Sequence, residues 1–136
     1  MPQTVATFDP EKMQIVIGTV PMSGFASGTF VTVEQDGNSF NTKVGADGDV
    51  ARAKIVGRPG TMKLTLMATS ISNAILTALH AAEGVFPISI KDGSNTVFAA
   101  EAWIEKPASF ERGDEIADTE WTFKLAKVTL VLDGNP

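Results

Sequence analysis

One stretch with the period of a helix stands in this chain among runs with the period of a strand, and that arrangement narrows the folds open to it. Thr61 to Ala68 alternates cleanly, Met62, Leu64 and Leu66 against Thr61, Lys63 and Thr65. Successive side chains of a strand point to opposite faces, so the first set turns toward a core and the second away from it. Beyond it the period changes. Ile71, Ile75, Ala78, Leu79 and Ala82 fall on one helical stripe, with Ser70 or Ser72 to cap the first amides and Gly84 to stop the helix. The spacing predicts a helix over about 71–83. One helix cannot bury its own stripe, so it must lie on a sheet.

Strand signals flank it on both sides. Met13, Ile15 and Ile17 alternate with Gln14, Val16 and Gly18 in a strand that ends before Pro21. A turn region from Gly24 to Gly28 leads to a second strand, Phe30 to Glu34. Val50 to Val56 reads as a strand with Arg52 and Lys54 on one face and Ala51, Ala53 and Ile55 on the other, followed by the loop Gly57-Arg58-Pro59-Gly60. Strands resume at Val85 to Lys91 and Thr96 to Glu105, and the polar, acidic stretch from Pro107 to Asp118 reads as a loop. Asp36-Gly37, Asp47-Gly48, Asp92-Gly93 and Asp133-Gly134 are turn signals, since glycine takes positive φ without a steric cost. Trp121, Phe123 and Leu125 open the last strand, and the apolar phase then shifts to Val128, Leu130 and Leu132. That flip implies a bulge or bend near Ala126-Lys127, by which a strand passes from one packed layer to another. With no alternation of strand and helix, the pattern predicts a mainly β protein: an antiparallel β-sandwich or barrel with one flanking helix. There is no internal repeat and no low-complexity segment.

Composition excludes several functions. At 136 residues, 43% hydrophobic and 20% charged, the chain is expected to form one domain with a real core. Cysteine is absent, which removes disulfides, thiol nucleophiles and Cys-based zinc sites. A net charge of −5 argues against a binder held by phosphate neutralisation. No apolar run approaches the roughly 18 residues a membrane span needs. The start, MPQTVATFDPEK, lacks the basic and apolar regions of a signal peptide, so the protein is expected to stay where it is made.

Chemistry finds little to work with. His80 is the single histidine, mid-helix before two alanines, with nothing nearby to orient it in a triad. Asp47-Gly48-Asp49 lacks the spacing of a calcium loop, and Gly57 to Gly60 lacks the GK[ST] of a phosphate cradle. Glu101 and Glu105 share a strand face, which suits solvent better than acid–base work. Trp103 and Trp121 read as core or interface anchors rather than sugar platforms. No catalytic, cofactor-binding or metal-binding constellation emerges, and an enzyme is not expected.

The charge map is less ordinary. From Val50 through Ala82 there is no Asp or Glu, while Arg52, Lys54, Arg58 and Lys63 are present. Glu101, Glu105, Glu111, Asp114, Glu115, Asp118 and Glu120 then face only Lys106 and Arg112. Acid and base at opposite ends of one subunit favour head-to-tail association with copies of itself.

The phrases VGADGDVARA, MKLTL and TSISNAIL, in that order, resemble the tail tube proteins of contractile-tailed bacteriophages. MQIVIGTVPMSGFASGTFVTVEQ and GVFPISIKDGSNTVFAAEAWIEKP are similar to the family's early and late strand pairs, so the resemblance spans nearly the whole chain. It implies a single tail-tube domain with a protruding loop or hairpin at about 36–60. It further implies hexameric rings in which neighbouring sheets join into a ring-shaped β-barrel, stacked into a tube through which DNA is delivered. The partners implied are the chain itself, the tail sheath, the baseplate and the tail terminator, with DNA passing unbound, no membrane span and no cofactor. The location implied is the virion tail, assembled in the host cytoplasm. Lys43, Asp47, Asp49, Arg52, Lys54, Arg58, Glu111, Asp114 and Glu115 become candidates for the subunit and ring interfaces. Glu34, Gln35, Thr61, Lys63, Thr65, Thr122 and Lys124 become candidates for the lumen, where Lys63 and Lys124 fit poorly because they attract phosphate. Two other readings remain: the tube of a DNA-free, tailocin-like particle, and a small β-barrel module binding protein or glycan through Trp103 or Trp121.

Overall fold

The chain, in a computed structural model that describes residues 9–133, is mainly β with one helix. A 3-10 turn (Pro10–Lys12) precedes β1 (Gln14–Ile17), β2 (Val20–Pro21), β3 (Val31–Gln35), β4 (Phe40–Val44), β5 (Val50–Lys54) and β6 (Gly60–Met67). Then come α1 (Ser72–Ala81), β7 (Phe86–Asp92), β8 (Asn95–Lys106), β9 (Asp118–Leu125) and β10 (Thr129–Val131). Among the described residues the strands form one ladder in the order β2-β1-β7-β8-β9-β6-β3, with β10 beside β8, and a separate ribbon of β4 with β5. Every pairing is antiparallel. The ladder is open, with β2 and β3 at its ends.

β6 buries one whole face because its alternation is strict. Met62, Leu64 and Leu66 are fully buried, and the register sets Met62 opposite Phe123 and Leu64 opposite Trp121 on the same face. Each such side chain contributes about 1.5–3 kcal/mol on burial. Ile15 and Ile17 from β1, Ile88 and Ile90 from β7, Ala99, Ala102 and Ile104 from β8, and Leu76 from α1 complete one cluster. Gly60 has no room for a side chain: a Cβ there would lie 2.7 Å from Val128 Cγ1 and 2.8 Å from the Glu34 carbonyl oxygen.

The expected bend at Ala126-Lys127 is present, but the strand does not change layers. Leu125 pairs with Ala102 and Thr129 with Phe98, so the register against β8 is the same before and after the break. β8 carries a matching flip: Ala100 and Glu101 are both exposed between buried Ala99 and Ala102, and β7 slips by one residue there. The two strands thus turn together. Val128 N–H leaves the β8 ladder and donates to the Arg58 carbonyl at 3.1 Å.

The helix is present but turned from its predicted face. Ser72 and Leu76 are buried, Ile75 and Leu79 are half-buried, whereas Ile71, Ala78 and Ala82 are exposed. Ile71 lies in the entry turn, outside the packed stripe. Polar residues hold the packed side instead. Ser72 Oγ accepts the Ser23 N–H at 3.0 Å, and Ser70 Oγ, not Ser72, accepts a first-turn amide, that of Ser72, at 3.2 Å. The helix ends in a Schellman-type pair, Glu83 N–H to the His80 carbonyl and Gly84 N–H to the Leu79 carbonyl. The left-handed residue is therefore Glu83, at φ 52°, and not the expected Gly84.

Two strands lay outside the sequence expectation. β2 folds back on β1 at Val20–Pro21, on the sheet edge, where a residue without an N–H is tolerated. β4 pairs with β5, which stops at Lys54 rather than Val56, so that the segment 36–60, expected to protrude, contains a two-stranded ribbon. Its tip is closed by Gly45 N–H to the Asp49 carbonyl at 2.8 Å, with Gly48 at φ 90°. The expected turn at Asp133-Gly134 falls partly outside the described residues.

Candidate assembly surfaces

Three surfaces carry the residues singled out from the sequence. The first is the face of the sheet opposite the core. Glu34 lies across from Thr61, Thr61 from Lys124, Lys63 from Thr122, and Thr65 from Glu120. Period-two alternation on three adjacent strands therefore brings Glu34, Thr61, Lys63, Thr65, Thr122 and Lys124 onto one polar face. Gln35 is not on it. It pairs with Gly60 on the core-facing phase, and its Nε2 donates to the Gly37 carbonyl at 2.7 Å and Ser39 Oγ at 3.3 Å.

Asp36, read from sequence only as a turn residue, joins this face to the root of the ribbon. Its carboxylate accepts from Thr61 Oγ1 at 2.6 Å and forms an ion pair with Lys124 Nζ, while its N–H donates to the Pro59 carbonyl at 2.9 Å. The Lys124 hydrogen bond, seconded by Thr61, holds the Asp36 carboxyl below the usual range. Asp36 and, more weakly, Glu105 push the Lys124 ammonium up. Lys124 is thus paired with a carboxylate of its own subunit. On this face Glu34, Asp36, Glu105, Asp118 and Glu120 outnumber Lys63, Lys106 and Lys124.

The second surface is the ribbon. Phe40, Thr42 and Val44 pair with Lys54, Arg52 and Val50, which places all six on one side. Arg52 stacks over the Phe40 ring at 4.3 Å and Arg58 approaches it at 5.6 Å. Lys43 pairs with Ala51 on the other side, and Asp47 and Asp49 stand at the tip. Phe40 is not among the residues singled out from the sequence, because only Phe40 and Val44 of this short segment are apolar.

The third surface is the acidic segment 107–117. Glu111, Asp114 and Glu115 are exposed along an open groove of about 560 Å³, with Phe110 and Ile116 exposed beside them. Arg112 is drawn back over the Phe110 ring at 4.3 Å and donates to the Glu111 carbonyl at 2.6 Å. The structure does not bring this segment near Lys43, Arg52, Lys54 or Arg58. The ribbon leaves β6 at Gly60, paired with Leu125, and the acidic segment enters β9 at Asp118, paired with Met67. They occupy opposite ends of one strand pair.

Among the described residues, the other groups singled out from the sequence hold no ligand geometry. Trp121 is buried and donates its Nε1–H to Asn73 Oδ1 at 3.0 Å, which removes it as a sugar platform. Trp103 is partly exposed and edges a cleft of about 250 Å³ with Leu79, His80 and Val85. Phe25 and Phe30 stack at 4.7 Å beside an apolar groove lined also by Pro10, Met13 and Met22. Among the described residues no group of three or more His, Cys, Asp or Glu side chains could hold a metal ion, and no helix is long and apolar enough to cross a membrane.

Comparison with known proteins fits this architecture. Residues 18–132 match the family described as bacteriophage PhiTE tail tube protein. A structural protein, ORF10, of Pseudomonas phage KPP10 is 28% identical over 145 aligned positions, which cover 96% of this chain and 84% of that one. The tube-terminating cap of the anti-feeding prophage superposes with a TM-score of 0.67 at 15% identity, over 96% of this chain and 95% of that one. The sheath/tube terminator of the extracellular contractile injection system PVC gives 0.61 at 12% identity, over 95% and 99%. A chain of the PVC sheath–tube complex gives 0.54 at 13%, over 92% and 91%.

Proposed function

The chain belongs to the bacteriophage PhiTE tail tube protein family, and on that premise we propose that it is the tube subunit of a contractile phage tail. Six copies form a ring, rings stack into a tube, and DNA passes through the channel. The sheath, baseplate and tail terminator are its tail partners, and the tail assembles in the host cytoplasm. The observation that carries this reading is the open ladder, with α1 on the core side and a polar face on the other.

An open sheet with free edges at β2 and β3 is a hazard for a solitary protein and a joint for a ring. Edge-to-edge pairing satisfies the unpaired backbone groups and continues the sheet around a barrel. The helix then faces outward and the polar face inward. That inner face carries an excess of acids, with Lys124 already paired to Asp36. A wall of like charge repels phosphate, so the duplex slides without adhering. The ribbon at 36–60 reaches the adjacent ring.

Negative-stain images of the purified protein at rising concentration test this. Rings and then tubes of constant diameter are expected. A protein that stays monomeric at every concentration refutes the reading and returns the chain to the class of small binding modules.

A further inference from the structure

We propose that the β4–β5 ribbon of one copy docks on the acidic segment 107–117 of a second copy displaced along the strand direction. The inference rests on the tube reading and names the acceptor surface of the ribbon.

Topology supplies the first argument. The eight residues of β6 separate the ribbon from the acidic segment, and at about 3.3 Å per residue that is roughly 25 Å. Leaving opposite ends of one strand pair, the two cannot meet within a subunit. A shift of one copy along the strands brings them together, and each copy then offers both halves of the contact. That is a heterologous joint, which repeats without limit.

Surface chemistry supplies the second. Every residue of β5 is exposed, and so is all of β4 except Phe40. A lone two-stranded ribbon is marginal in water, so this one gains from a surface to rest on. The side formed by Phe40, Thr42, Val44, Val50, Arg52 and Lys54 carries two bases, no acid, and an apolar pair, Val44 and Val50, at 64% and 68% exposure. The segment 107–117 offers the counterpart: Phe110 and Ile116, 81% and 66% exposed, among Glu111, Asp114 and Glu115 along the open groove. The segment's own base, Arg112, is folded back on Phe110. Valines meet aromatic and aliphatic surface while Arg52 and Lys54 meet carboxylates, and charge of one sign on each partner fixes the polarity of stacking.

The absence of cysteine permits a direct test. Val44→Cys and Ile116→Cys are prepared separately with different tags, mixed, assembled and oxidised with diamide. Both positions are exposed, and circular dichroism checks that the variants keep the parent fold. The expected product is a disulfide-linked pair carrying one of each tag, formed in assembled material and not in dilute subunits. In parallel, Arg52→Glu with Lys54→Glu raises the concentration needed for assembly by about tenfold, the size of two exposed ion pairs. Adding Glu111→Lys with Glu115→Lys to the same chain restores it. Tubes that assemble without the mixed pair, or in which the Val44→Cys variant links only to its own copies, overturn the acceptor assignment and leave the tube reading standing. Failure of the unmodified chain to assemble at any concentration overturns both.

Discussion

Asn73→Ala removes four hydrogen bonds that fasten the start of α1 to the sheet. Asn73 Oδ1 accepts from Thr119 Oγ1 at 2.7 Å and Trp121 Nε1 at 3.0 Å, and Nδ2 donates to the carbonyls of Met67 at 2.9 Å and Ala68 at 3.4 Å. The losses are unequal. Thr119 Oγ1 keeps the Leu66 carbonyl at 3.2 Å, and the Met67 carbonyl is near enough to the surface to take water. The Trp121 indole, 5% exposed, has no such recourse. Stranding that donor costs about 1–3 kcal/mol, and the remaining bonds add about 1. Alanine recovers about 0.5 kcal/mol of helix propensity. The net loss is about 1.5–3.5 kcal/mol, a fall in Tm of roughly 5–15 °C for a chain of this size. Urea denaturation below the assembly concentration measures it, since association would add its own stability. Trp121→Phe removes the donor itself, so its cost should shrink by about 1 kcal/mol in the Asn73→Ala background. A coupling under about 0.3 kcal/mol refutes the indole–amide account of how the helix is held.

Glu83→Gly should stabilise the subunit by about 0.5–1 kcal/mol, because Glu83 holds the left-handed position after the helix; a lower Tm would contradict this. Gly60→Ala should cost about 1–3 kcal/mol, since the new methyl meets Val128 and the Glu34 carbonyl, and thermal melting reads it. Asp36→Asn should flatten the acid limb of the pH–stability curve. The lowered Asp36 pKa means its contribution is complete above about pH 4 and lost as pH falls through the lowered value. Parallel acid titrations of parent and variant, monitored by circular dichroism, show the parent's advantage present above about pH 4 and shrinking as pH falls along that limb. Deleting residues 42–49 should leave a folded subunit that forms no tubes, visible by electron microscopy; tubes of normal length would show that the ribbon is not the joint.

The residues that declared themselves in the sequence are those whose burial is repeated at a fixed period. Met62, Leu64 and Leu66 alternate against polar neighbours, and Trp121, Phe123 and Leu125 do the same on the strand beside them. The phase shift after Leu125 announced the bend at Ala126-Lys127, although not that Ala100-Glu101 would share it and keep the layer unchanged. What stayed hidden depends on partners far along the chain. β4 buries no residue fully, so only its pairing with β5 makes it a strand. The helix packs on a different stripe because a 10-residue helix is oriented here by the hydrogen bond that Ser72 Oγ accepts from Ser23 and those that Asn73 makes, which an apolar pattern cannot report. Gln35 falls on the face opposite Glu34, because at the strand's end one residue's difference moves a side chain across the sheet. Of the assembly surfaces, opposite charge was visible early. Their placement at opposite ends of β6 and β9 required the register.

A cryo-EM map of the assembled protein tests the central claim most directly. The account predicts six-fold rings closed through the β3 edge, with Glu34, Thr61, Lys63, Thr65, Thr122 and Lys124 facing the channel and α1 facing outward. It also predicts a channel surface acidic or neutral in balance. A map in which α1 lines the channel, or in which the channel is net positive, would contradict it.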